Sequence, residues 1–267
     1  MFRINHILKK PDEIVPWGGE NKSLHWYGLT DGLLWIEVGD SVIYEYTETH
    51  DDEMGKPIIY NDYQLSRFME DFFGILPFVA ESVPDYLYKD IELFYERMNK
   101  WDLLHYDLSD EEYNEFYFGI YGELDNPIFL RKFDSGHLIG GPDIGCVRHE
   151  DKIKIYWRSC EDENKKSLWT SPQGVYEMDY EEFVNEVFRF YNAFFKDMDK
   201  QVENVKNNGL PGVYVDIEAL CRENETRKDS FKQKIDMLKS EQKGETDWDK
   251  NRKLYKKMLD ENADEKI

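Results

Sequence analysis

The chain has 267 residues and a formal charge of −22, from 34 Lys and Arg against 56 Asp and Glu. Its 7 Trp, 18 Tyr and 16 Phe exclude a disordered acidic chain, which lacks the apolar surface needed to offset the entropy of ordering. The acid excess excludes the ordinary nucleic-acid binder, which displaces counterions from phosphates with Lys and Arg, and it argues against an anionic membrane surface. Basic proteins are the favoured partners, because complementary fields raise on-rate and specificity.

The segment from Met1 to Pro11 has no apolar core of signal-peptide length. The longest apolar stretch, Phe72 to Ala80, contains Gly74 and Pro77 and is far short of the roughly 20 residues a membrane span needs. The expected location is therefore the cytoplasm. Cys146, Cys160 and Cys221 form neither a metal spacing nor a CxxC pair, which predicts reduced, structural thiols.

Residues 1–221 read as an acidic α+β body. Trp26 to Leu29, Leu33 to Val38 and Val42 to Tyr46 are β-branched and aromatic runs, with Gly39-Asp40 as a hairpin turn. That turn pairs Val38 with Ser41, Ile36 with Ile43 and Leu34 with Glu45. Thr47 to Lys56 has almost nothing to bury and is predicted to be an exposed loop. Leu65, Phe68, Met69, Phe72, Phe73 and Leu76 share one helical stripe. Pro84 suits the first turn of the next helix, where Leu87, Ile91, Phe94, Met98 and Trp101 recur at helical spacing. Ser109 and Glu112 form a capping box ahead of Tyr113, Phe116 and Tyr117.

Strand patterns then return. Ile144 to His149 and Lys152 to Arg158 flank a turn at Glu150-Asp151, setting Ile144, Cys146 and Arg148 opposite Trp157, Ile155 and Ile153. That alternation sends His149, Lys152 and Lys154 to water. Leu168-Trp169 and Val175-Tyr176 are short candidates for a third and fourth strand. Asp179 and Glu182 signal the start of a long helix that buries Phe183, Val187, Tyr191, Phe194, Met198 and Val205 and stops at Asn207-Asn208-Gly209. The expected architecture is a mixed or antiparallel sheet of about six to eight strands packed against several helices.

Residues 222–267 differ in kind. They hold 13 basic and 12 acidic residues, so the body before them carries a net −23. Phe231, Ile235 and Leu238 make one narrow stripe; Leu254, Tyr255, Met258 and Leu259 make another, with Gly244 and Thr246 between them. This predicts a charged helical extension packed along the body.

Motifs that carry chemistry are sparse. The glycines between Ser135 and Gly145 lead into a strand with no following P-loop lysine, so they read as a loop needing positive φ. The six histidines give no HExxH. His50 with Asp51, Asp52 and Glu53 could attract a divalent cation, but without the EF-hand order a solvated loop is the better reading. The same holds for His149-Glu150-Asp151. Asp197 and Asp199 lie two apart on a helix and diverge. There is no GxSxG and no cysteine nucleophile signature. Trp17, Trp26 and Trp35 read as packing of a small sheet or, less simply, as interface anchors. No metal and no cofactor is expected.

Ile14-Val15-Pro16-Trp17-Gly18, Leu24 to Gly32 and Trp35-Ile36-Glu37 resemble the opening of a bacterial family catalogued as number 5984 among the domains of unknown function. Val147-Arg148, Ile155-Tyr156-Trp157, Leu168-Trp169-Thr170 and Gly174-Val175-Tyr176 resemble its second sheet. Asp179 to Phe183 resembles the start of its long helix, and Asp216 to Leu220, Arg222-Glu223-Asn224 and Arg227 its C-terminal segment. The resemblance implies no reaction. It implies a context, since such small bacterial families often resemble immunity proteins encoded beside polymorphic toxins. The expectation is a non-enzymatic protein that occludes the active or substrate-binding surface of a basic cognate toxin domain, with no direct nucleic-acid or membrane contact. The acidic residues Asp51, Asp52 and Glu53, and Asp107, Asp110, Glu111 and Glu112, are its candidate contacts. The alternatives are a hydrolase that reverses a toxin modification or acts on a small substrate, and an acidic nucleic-acid mimic. The hydrolase requires a pocket with converging carboxylates.

Overall fold

Two antiparallel sheets organise the chain, where the sequence predicts one. The computed structural model describes residues 1–138, 140–159, 167–240, 242 and 244–264. The first sheet contains β1 (Phe2–Leu8), β2 (Asp31–Val38), β3 (Ser41–Ile43), β4 (Glu45–Asp51) and β5 (Pro57–Gln64). Its order is β1-β2-β5-β4, with β3 also on β2. The second contains β6 (Lys132–Phe133), β7 (Asp143–His149), β8 (Lys152–Arg158) and β9 (Gln173–Asp179), in that order. The α+β class is as expected.

The β2–β3 hairpin keeps the predicted register for Val38 with Ser41 and Ile36 with Ile43. It ends there because Tyr44 turns to a φ of 68°. A positive φ at a non-glycine residue is strained and persists only when its surroundings fix it. The buried Tyr44 hydroxyl lies 2.6 Å from Ser135 Oγ, which supplies that constraint. Glu45 consequently pairs with Tyr60 of β5, and Leu34 with Asn61 instead of Glu45. The predicted loop from Thr47 to Lys56 is largely hairpin: β4 and β5 pair by main-chain bonds, although Thr47 to Asp51 are exposed as their composition requires. Trp26–Leu29 is not a strand but a helical turn, α1. Both edges of β2 are already taken, by β1 and β5, so no ladder is left for it.

The helices are α2 (Leu65–Val79), α3 (Asp85–Leu104), α4 (Asp110–Glu115), a π-helical segment Phe116–Tyr121, α5 (Gly122–Phe129), α6 (Tyr180–Asn208), α7 (Ile217–Met237) and α8 (Trp248–Asp264). The apolar stripes predicted on α2, α3 and α6 are the buried faces. At the start of α6, Asp179 occupies the cap position, but its carboxylate accepts from Lys152 Nζ at 2.6 Å. Gly209 ends the helix with a φ of 63°.

There are two cores, and the second sheet is the wall between them. Ile144, Cys146, Ile153, Ile155 and Trp157 join β1, β2, α2, α6 and α7 in the larger. Val147 and Tyr156 point the other way, into a core shared with α3, α5 and α8. Gly145 makes room there, since a Cβ on it would stand 2.1 Å from the Tyr156 ring. The outer face therefore does not meet water. His149 Nδ1 lies 2.8 Å from the Val83 carbonyl, and Lys154 sits over the Tyr88 ring and pairs with Glu92 at 3.5 Å. Only Lys152 of the three stays exposed. Of the two further strand candidates, Val175-Tyr176 lies within β9, while Trp169 makes a single bridge to Tyr46.

The helix α7 begins before residue 222 and lays Phe231 against Phe73 and Phe195, at centroid distances of 5.0 and 6.1 Å. Cys146 and Cys221 are free thiols, and burial pushes Cys146 up to about 12. Cys160 lies outside the described residues. No described helix is long and apolar enough to cross a membrane.

One buried titratable group gives the fold a pH dependence. His6 of β1 packs edge-on to Phe190 and Phe194, with Nε2 3.3 Å from Asp197. Burial pushes its pKa below the usual value, against the pull of Asp197. The unfolded chain then binds a proton at a pH where the folded chain does not, so stability rises with pH. His6 should withhold stability as pH falls from about 7 through its unfolded value near 6.5. Replacing it in His6→Gln should flatten the fall in melting temperature between about pH 7 and 5, read by thermal denaturation.

Candidate functional site

The two acidic stretches singled out by the sequence lie on different layers. Asp51, Asp52 and Glu53 occupy the tip of the β4–β5 hairpin in the first sheet. Asp52 accepts from the backbone N–H groups of Lys56 and Met54, at 2.7 and 2.9 Å. Those bonds hold its carboxyl below the usual range and form an Asx turn. Asp52 is thus a turn residue. His50 packs against Tyr46 at 4.6 Å. Among the described residues no group of three His, Cys, Asp or Glu side chains is placed to hold a metal ion.

Asp107, Asp110, Glu111 and Glu112 lie where α3 passes into α4. Ser109 and Glu112 close the predicted capping box, with the Ser109 N–H donating to Glu112 at 3.2 Å. Hydrogen bonds from Ser109 hold the Glu112 carboxyl below its usual range. Glu112 is therefore engaged locally, whereas Asp107, Asp110 and Glu111 are exposed.

What sequence reading missed is the company these carboxylates keep. The π-helical segment continues α4 into α5, and three consecutive aromatics fall on it: Phe116, Tyr117 and Phe118. Phe116 turns inward, packing on Trp101 at 5.0 Å and stacking on His105 at 3.8 Å. Tyr113, Tyr117 and Tyr121 stack in a ladder at 5.7 and 5.1 Å, and the Tyr113 hydroxyl donates to Asp102 at 2.9 Å. Tyr106 and Phe118 then stand out at 77% and 76% exposure, beside Leu103 at 71%. Residues 102–123 contain seven carboxylates and no Lys or Arg. A signal was available: on a helix three adjacent positions point about 100° apart, so three adjacent aromatics cannot all face a core.

The tryptophans divide. Trp26 is fully buried, donates to Asn224 Oδ1 at 3.0 Å and carries the Arg227 guanidinium over its ring at 4.5 Å. Arg227 in turn pairs with Glu70 at 2.6 Å, so this cluster joins α1, α2 and α7. Trp35 stacks on Tyr60 at 4.3 Å, while Trp17 is exposed. The carboxylates of Asp197 and Asp199 diverge as expected, Asp197 toward His6 and Asp199 toward Asn224 and Lys228 of α7.

Two clefts open beside α2 and α5. One, of about 580 Å³, runs between them and the start of α8; the other, of about 330 Å³, lies between α2 and β6. The smaller is bordered by Glu70, Asp71 and Asp134. Burial raises Asp71 above the usual carboxylate range despite Arg67 at 2.8 Å. Burial would also raise Glu70, but hydrogen bonds from Arg227 and Tyr27 outweigh it and hold Glu70 low. Each of these two carboxylates thus has a cation of its own, and among the described residues no Ser, Cys or His lines the cleft.

Fold and surface together define a two-sheet α+β protein that exposes Leu103, Tyr106 and Phe118 among the carboxylates of the α3–α5 segment. The chain belongs to a family of unknown function, DUF5984, whose model matches residues 3–254. Compared with curated proteins and with solved structures, it finds no match.

Proposed function

We propose that the chain is a non-enzymatic binding protein that receives a basic protein partner on the surface of residues 102–123. One observation carries this: Leu103, Tyr106 and Phe118 are exposed within a field of seven carboxylates. Large aromatic side chains at low entropic cost make interface anchors, and the surrounding charge speeds encounter and rejects acidic competitors. Among basic partners, the one that suits this chain is a cognate toxin domain whose active or substrate-binding surface becomes covered, an immunity function. The net −23 of residues 1–221 supports it, since enzymes that act on anionic substrates present basic faces. The clefts favour a hydrolase less, because Glu70 and Asp71 are engaged by Arg227 and Arg67.

The test uses the double variant Tyr106→Ala/Phe118→Ala and the purified proteins encoded by the genes adjoining this one, among which the reading expects a basic toxin domain that binds. Stability should stay within about 0.5 kcal/mol, as for other exposed substitutions. Affinity should fall by about 100-fold or more, with the association rate of the wild type dropping several-fold toward physiological salt. Unchanged affinity in the double variant, or a salt-independent association rate, overturns the reading.

A further inference from the structure

Phe78 and Leu130 border both clefts, so the two adjoin and make an elongated grooved surface along α2 and α5. Its floor is apolar, from Ile75 and Phe78 on α2 to Phe129 and Leu130 at the end of α5, and Phe78 and Phe129 are exposed. In the smaller cleft α2 carries Gly74. A glycine inside a helix costs about 1 kcal/mol relative to alanine. Its usual justification is a close approach by another part of the fold, yet nothing lies within 4 Å of where a Cβ would stand. Folding therefore does not require glycine at this position. What the glycine leaves is a notch in the floor, open from outside.

The charge around the groove states what fits it. Among the described residues seven carboxylates and three cations line the two clefts. Glu81, Glu123, Glu70 and Asp71 already pair with Arg131, Lys250, Arg227 and Arg67, which leaves Asp134, Glu245 and Asp247 to meet an occupant's charge. All three cations are committed within the chain: Arg131 to Glu81, Lys132 to Asp143 and Lys250 to Glu123. An occupant must bring an apolar stripe for the floor and positive charge for the rims, over an elongated path beside two helices. An amphipathic basic helix has this form. We propose that the groove binds a basic amphipathic helical segment of a partner protein, with one apolar side chain seated in the Gly74 notch. The site is separate from the exposed aromatics; among the described residues it shares only Glu123 with the segment 102–123.

The probe is a synthetic peptide of about 16 residues, with leucines at i, i+3, i+4 spacing and lysines elsewhere, long enough to hold a helix once bound. Its Glu-for-Lys counterpart is the control, and binding to the full chain is read by fluorescence anisotropy at low and physiological salt. The lysine peptide should bind and its counterpart should not. Gly74→Leu should fill the notch and weaken binding by about tenfold or more, with a melting temperature equal to or above the wild type. If Gly74→Leu instead lowers the melting temperature, Phe129→Ser carries the test, because that side chain is exposed. The variant Tyr106→Ala/Phe118→Ala should bind the peptide as the wild type does. Equal binding of both peptides, or undiminished binding to the groove variants, overturns the proposal. So does a loss of binding confined to Tyr106→Ala/Phe118→Ala, which leaves the reading of residues 102–123 standing. Self-association abolished by Gly74→Leu would assign the groove to a second copy of this chain and overturn the proposal as well.

Discussion

Phe231→Ala should destabilise the protein by about 3–5 kcal/mol, the usual result of emptying a phenylalanine site in a packed core. The ring is buried between Phe73 of α2 and Phe195 of α6, so neither wall can close on the space without moving a long helix. Ile235 and Leu238 continue the same contact and are also buried. At roughly 1.5–3 kcal/mol per buried large apolar side chain, the three together approach the whole net stability of a typical domain, about 5–15 kcal/mol. A chain ending at Asn224 should therefore fail to fold, although the composition of residues 222–267 suggests a dispensable extension. Urea denaturation of Phe231→Ala and circular dichroism of the truncated chain decide it. A cost under about 1 kcal/mol, or a folded truncation, would show α7 to be an appendage.

Glu81→Ala should be as damaging for an electrostatic reason. Arg131 is 1% exposed, and its Nη2 pairs with Glu81 at 2.6 Å. Removing the carboxylate strands a buried guanidinium, which costs about 3–5 kcal/mol. Glu81 also accepts from the Gly244 N–H and from Trp248 Nε1, each at 3.1 Å. The variant should thus loosen the entry to α8, seen as faster limited proteolysis near residues 238–248. The pair Glu81→Leu/Arg131→Met removes both charges at similar volume, and should recover most of the loss. A double variant no more stable than Glu81→Ala would assign the damage to the lost Gly244 and Trp248 bonds instead.

Periodicity carries far in this chain where one face is buried and the other wet. The stripes of α2 and α3 follow directly from it, because each has a single apolar solution, while the β7–β8 register follows from the turn at Glu150-Asp151 although both faces of that hairpin are buried. It misleads where a tertiary partner decides. Trp26–Leu29 has strand composition, yet the edges of β2 are occupied; Thr47 to Asp51 has loop composition, yet β5 offers it a ladder. His149 and Lys154 follow the polar alternation of an open face that α3 happens to cover. At the candidate surface the sequence exposes the carboxylates, since Asp107, Asp110 and Glu111 have nothing to bury them. It conceals Tyr106 and Phe118, because exposed aromatics look the same as core aromatics until the packing is known.

The long helix α6 holds both ends of the architecture. The Ile4 N–H donates to Glu186 at 2.8 Å, Arg189 bonds the Ile4 carbonyl, and the same helix packs on β8, β9 and α7. For a ribosome this ordering matters. While residues 1–179 emerge, β1 to β9 can all be synthesised together with α2, α3 and α5, yet the apolar surface that packs against α6 and α7 has no lid. The nascent chain must carry that surface, unshielded, until the α6 residues up to Asn208 have been translated. Completion of α6 at Asn208 and then of α7 at Met237 closes it, so the late helices and not the sheets decide when that surface leaves water.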